Sequence, residues 1–196
     1  MNKKYKLILK IAGIILIIIL GALFFKEYAV KAHSPEETVV YQDESLELEV
    51  FYNRPSKKER EIFGGLVPYG EVWRTGANEA TTFLTNEELL VDGSVLKAGK
   101  YTLWTIPMED SWKVIFNSQM YPWGIDLDGK AYRDPQFDVL ILEAPTLKLK
   151  DTLEQFSIYF EKYNELVFLK MAWDTTKIEV PIKAKKEAQS ALLLSN

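Results

Sequence analysis

Residues Leu7–Phe25 form an unbroken apolar run in which Lys10 is the only charge. As a helix the run spans roughly 28 Å, close to the hydrocarbon thickness of a bilayer. A soluble helix has no need to be apolar on every side, so the run reads as a transmembrane helix at 7–25. Lys10 sits near one end, where its stem can carry the ammonium back to the headgroups. Lys3, Lys4, Lys6 and Lys10 precede the run, whereas Lys26 and Lys31 follow it together with Glu27. That bias places residues 1–6 in the cytoplasm and sends the rest across the inner membrane as an extracytoplasmic domain. Cleavage near Ala32, with small residues at Val30 and Ala32, is the alternative and would release the body to the periplasm. The length of the run and the charged pair Lys26-Glu27 favour a retained signal-anchor. With no Cys anywhere, a lipid-modified cysteine is excluded.

Residues 26–45 mix charge, Pro35 and the only histidine, His33, without clear periodicity, and read as a juxtamembrane linker. From Leu46 the pattern turns to period two: Leu46, Leu48, Val50 and Tyr52 alternate with Glu47, Glu49 and Phe51. Asp92-Gly93 marks a hairpin, and strand-like runs follow at Lys100–Ile106, Trp112–Phe116, Asp138–Glu143, Thr146–Lys150, Leu153–Lys162, Leu166–Trp173 and Lys177–Ile182. Turn residues about every ten positions predict an all-β fold, a jelly-roll-like antiparallel β-sandwich over 46–183. Pro181 is expected to end the last strand or mark an edge, and 184–196 reads as a tail.

Charge and composition exclude several chemistries. Residues 1–32 carry six lysines against one glutamate, while 33–196 carry 18 basic and 27 acidic side chains. So acidic a body repels phosphate backbones, and nucleic acid is not an expected partner. Without Cys there are no disulfides, thiolate metal sites or thiol nucleophiles, and one histidine leaves no imidazole-based triad in the body. Asp126-Leu127-Asp128-Gly129-Lys130 resembles the start of a calcium loop, but Lys130 occupies a ligand position, so a turn is expected. No metal or cofactor is anticipated.

The period-two signal lapses between Tyr52 and Thr82. Three of the four arginines, Arg54, Arg60 and Arg74, lie in that stretch, and lysine carries the positive charge elsewhere. A guanidinium offers a planar fork of donors that lysine lacks, so the bias points to a geometric requirement. Arg54, Arg60, Arg74, Asn78 and Glu79 are candidate ligand-binding residues for an anion or sugar, with Trp73 or Trp123 as a stacking face. The competing reading is structural, with the arginines bonding loop carbonyls and Arg74 pairing with Glu79. Trp104, Trp112 and Trp173 sit on expected strands and belong to the core.

The words Arg54-Pro55-Ser56-Lys57-Lys58, Ile62-Phe63-Gly64-Gly65-Leu66-Val67-Pro68-Tyr69-Gly70 and Val72-Trp73-Arg74-Thr75-Gly76-Ala77-Asn78-Glu79-Ala80-Thr81-Thr82 resemble the signature of the bacterial domain-of-unknown-function family 2911. The resemblance continues through Leu96–Leu103, Trp112–Asn117 and Trp123-Gly124. It implies an extracytoplasmic domain without an established activity. Two positions differ from the pattern: Glu59 stands where a glycine usually precedes the second arginine, and Leu140 stands where an arginine follows Asp138-Val139.

These features combine into a membrane-anchored extracytoplasmic module of the bacterial envelope, binding or structural rather than enzymatic. Its expected partners are the membrane and a glycan, an anionic small molecule or an envelope protein. The alternative is a carboxylate-dependent hydrolase of envelope glycans, pairing Glu79 with Asp138 or Glu71.

Overall fold

The computed structural model describes residues 2–43, 45–126 and 128–185. A long helix, α1, runs Lys3–Ala32, and its stretch Lys4–Phe24 is long and apolar enough to cross a membrane or to serve as a signal sequence. The helix thus continues seven residues past Phe25, into the stretch expected to be linker.

Among the described residues ten antiparallel strands follow: β1 (Glu36–Asp43), β2 (Leu46–Asn53), β3 (Thr82–Thr85), β4 (Leu89–Val91), β5 (Ser94–Leu96), β6 (Gly99–Pro107), β7 (Ser111–Asn117), β8 (Asp138–Pro145), β9 (Leu147–Tyr163) and β10 (Leu166–Ala184). They form a six-stranded sheet in the order β1-β2-β3-β6-β7-β8 and a four-stranded sheet in the order β5-β4-β10-β9. The expected antiparallel sandwich behind one apolar helix is what the chain adopts. β1 corrects the reading of 26–45 as linker. It pairs with β2 along its whole length, from Glu36 opposite Asn53 to Asp43 opposite Leu46.

The alternation in β2 buries Leu46, Leu48, Val50 and Tyr52, which join Phe83 and Phe116 of the same sheet and Ile158, Met171 and Val180 of the opposite sheet in one continuous core. β9 and β10 are each one long strand, where the sequence suggested two shorter ones apiece. The division lies at a bulge. Asp174, with φ +53°, interrupts the β9–β10 register, and the inward positions change from Leu169, Met171 and Trp173 to Ile178, Val180 and Ile182. Pro181 lies inside β10, where its carbonyl accepts the Asp92 N–H at 2.9 Å, on the last rung before β4 turns away. Of the expected tail, residues beyond Lys185 lie outside the described residues.

β6 is buried on both faces from Tyr101 to Thr105. One side meets the main core. Over the other, Ala80, Trp104, Ile115 and Tyr121 form a second small core with Val72, Ile106 and Ala131. The loops before β3 and after β7 therefore serve as a third layer over β6 and β7.

Candidate functional site

The 54–81 segment is irregular but ordered, held at three places. Pro55–Lys57 covers the free edge of β9: the Phe156 N–H donates to Pro55 O at 3.0 Å and the Lys57 N–H to Glu154 O at 2.7 Å. Ile62 and Val67 bury their side chains in the main core. Trp73 and Thr105 exchange backbone hydrogen bonds of 2.7 and 3.0 Å, docking the segment along β6.

The word Trp73–Thr81 is legible residue by residue. The Trp73 indole N–H donates to Gly76 O at 3.0 Å, and its ring stacks on Trp173 with centroids 6.0 Å apart and planes at 17°. Thr75 is buried against Thr105, hydroxyl to hydroxyl at 3.1 Å, and Thr81 donates to Thr75 O at 2.8 Å. At Gly76 a Cβ would lie 2.9 Å from Asn53 O, so no larger residue fits that approach. Asn78, buried with φ +53°, donates to Asn53 Oδ1 at 3.2 Å, and Asn53 donates to Glu79 Oε2 at 3.0 Å. An asparagine tolerates that backbone because its short amide bonds locally.

Above this turn lies a cavity of about 990 Å³ between the 54–77 segment, the 125–131 loop and the chain at His33-Ser34. Its walls include the indoles of Trp73 and Trp173 and the apolar side chains of Leu66, Val72 and Ile125. Four cations, Lys58, Arg60, Arg74 and Lys130, line it against one carboxylate, Glu71, the reverse of the body's overall balance.

The three clustered arginines take three different roles. Arg54 is not on the cavity. It bonds Phe156 O at 3.3 Å and Ser157 Oγ at 3.1 Å and pairs with Glu37 at 3.2 Å, tying β2 to β9. Arg60 lies on the rim, but its guanidinium reaches back to Lys57 O at 3.0 Å and Ser56 O at 2.6 Å, so it pins its own loop. Arg74 is different. Its Nη1 is buried with no hydrogen-bond partner in the protein, and burial pulls its pKa below the usual arginine value, with the Glu79 charge opposing only in part. The stem of Arg74 packs on Gly124, where φ is +63° and a Cβ would come within 3.1 Å of Arg74 Cβ and Cδ.

Of the remaining candidates, Asn78 and Glu79 belong to the Asn53 web rather than to the cavity lining. Trp73 lines the cavity with a ring already engaged by Phe63, Trp112, Phe156 and Trp173. Trp123 is the exposed indole the loop sequence suggested, at 40%, but is not among the lining residues. Asp138, a suggested carboxylate partner of Glu79, is instead paired with Arg133 and accepts the Asn117 amide at 2.8 Å. Sequence reasoning passed over Lys58, Lys130 and His33 as cavity residues. His33 was read as part of a solvated linker, but its ring nitrogen lies 3.2 Å from Lys58 Nζ at the rim.

The family model described as "Protein of unknown function (DUF2911)" matches residues 34–182. The chain belongs to this family. No curated protein and no solved structure matches it. The DUF2911 match opens at Ser34, on the cavity rim, and closes at Ile182 in β10; it takes in β1 and omits α1. Glu59 has φ +60°, the left-handed backbone for which glycine is suited. Leu140 packs in the main core, and the guanidinium beside Asp138 comes from Arg133.

Proposed function

We propose that this DUF2911 protein is a membrane-anchored, extracytoplasmic binding module of the bacterial envelope whose cavity receives an anionic ligand. One observation carries the reading: Arg74 lines the cavity and carries a buried Nη1 with no hydrogen-bond partner among the described residues. A buried donor without a partner is costly, and an anion entering the cavity would relieve that cost. The cationic lining in an otherwise acidic body supports the same charge preference. The lysine bias at the amino-terminal end of α1 supports the orientation.

Titration of the full chain in detergent with inorganic phosphate and with a hexuronate, read by calorimetry, tests the reading. Saturable binding is expected, and Arg74→Lys is expected to weaken it about tenfold, because lysine loses the bidentate geometry while leaving the fold intact. If Arg74→Lys lowers the melting temperature as far as Trp173→Ala does, Arg74 is scaffolding and the reading fails.

A further inference from the structure

The cavity begins where α1 ends. α1 stops at Ala32, and the next two residues, His33 and Ser34, already line the cavity. Three bonds fasten this entry to the cavity's own loops: His33 Nδ1 to Lys58 Nζ at 3.2 Å, the Asn78 amide to Ser34 O at 3.4 Å, and the Arg54 N–H to Pro35 O at 2.9 Å. From Phe24, the end of the apolar stretch, to His33 the chain rises roughly 14 Å as helix and reaches at most about 30 Å fully extended. The rim is therefore tethered close to a bilayer whatever the tilt of the helix.

The lining is amphipathic as well as cationic. Arg74 and Lys130 offer charge, while Leu66 and Ile125 offer apolar surface that a small dissolved anion would not use. The two sources of an anion also differ in how they arrive. A body with 27 acidic and 18 basic side chains over residues 33–196 repels anions approaching from bulk water. A lipid headgroup is held in the adjacent membrane plane at high effective concentration.

We propose that the cavity binds the phosphate headgroup of an anionic lipid presented by the bilayer that holds α1, with Arg74 as the bidentate phosphate partner and Leu66 and Ile125 against the glycerol end. The inference rests on the anion-binding reading above and names the source of the anion.

The test uses the full chain in nanodiscs of phosphatidylcholine alone or with one-fifth phosphatidylglycerol, and native mass spectrometry of the lipid retained after release. A separate arm titrates soluble glycerol 1-phosphate. Phosphatidylglycerol is expected to be retained about tenfold over phosphatidylcholine, and the preference is expected to disappear in both Arg74→Lys and the exposed-site variant Lys130→Glu. Equal retention by the parent and both variants would place the lipid on the helix and overturn the proposal. Binding of glycerol 1-phosphate without lipid preference would overturn it too, while leaving the anion-binding reading in place. If neither probe binds, both readings fall.

Discussion

Two largely buried guanidinium groups, at Arg133 and Arg74, sit in contrasting surroundings. Arg133 closes a polar corner after β7. It pairs with Asp138, whose other oxygen takes the Asn117 amide at 2.8 Å; that same amide also donates to Asp134 O at 2.8 Å. The side chains of the pair are 10% and 7% exposed, and neither residue lines the cavity that Arg74 borders. Arg74 makes no such carboxylate bond among the described residues, where the Glu79 charge acts on it without an ion pair, yet it borders a large cavity. Each leaves one nitrogen without a partner, Nε of Arg133 and Nη1 of Arg74. What separates them is the counter-ion. At Arg133 the fold supplies it at bonding distance, so the residue is structural; at Arg74 the Glu79 charge offsets burial only in part, and the residue borders open space.

Substitutions at the two sites should therefore diverge. The largest effect is expected from Arg133→Met, which leaves Asp138 buried without its cation and should cost about 3 kcal/mol in chemical denaturation. A loss below about 1 kcal/mol would mean the corner is wetter than it looks, and the contrast would collapse. Gly124→Ala comes next, at about 1–2 kcal/mol, because the left-handed backbone is strained by a Cβ that also pushes on the Arg74 stem. Its anion binding should fall with its stability. Arg74→Met is expected to stay within about 1 kcal/mol of the parent, or above it, since removing a charge that burial disfavours offsets the lost contacts. Binding measured by calorimetry should nonetheless vanish. At the bottom of the scale, Lys162→Ala removes an exposed ion pair with Asp43 and should leave the melting temperature unmoved.

Legibility in the sequence followed burial. β2 could be read because one face is buried and the other is not, which writes the alternation directly into the residues. β1 could not: it is an edge strand of half-buried and exposed positions, and its charges at Glu36, Glu37 and Asp43 conceal the period. The bulge at Asp174 broke one strand into two apparent ones. The arginine bias fell on a segment that lines the cavity, but proximity in sequence did not mean convergence, since Arg54 turns to β9 and Arg60 to its own loop. Lys130 and His33 reach the cavity from distant parts of the chain, and no local pattern announces that. Arg133 did carry a signal, as the one arginine outside the segment.

The sheet order has a consequence for the order in which the protein can be built. Every strand of the six-stranded sheet lies before residue 146, and only the β4–β5 hairpin leaves it; β9 and β10 come last. A chain emerging amino end first can thus complete one blanket of the sandwich while its greasy lining, Leu48, Val50, Phe83 and Phe116 among it, still faces water. The closing hairpin of 147–184 is then a cover that arrives late. Ribosome-stalled chains ending at Thr146 should accordingly bind hydrophobic dye that released, full-length chains shed.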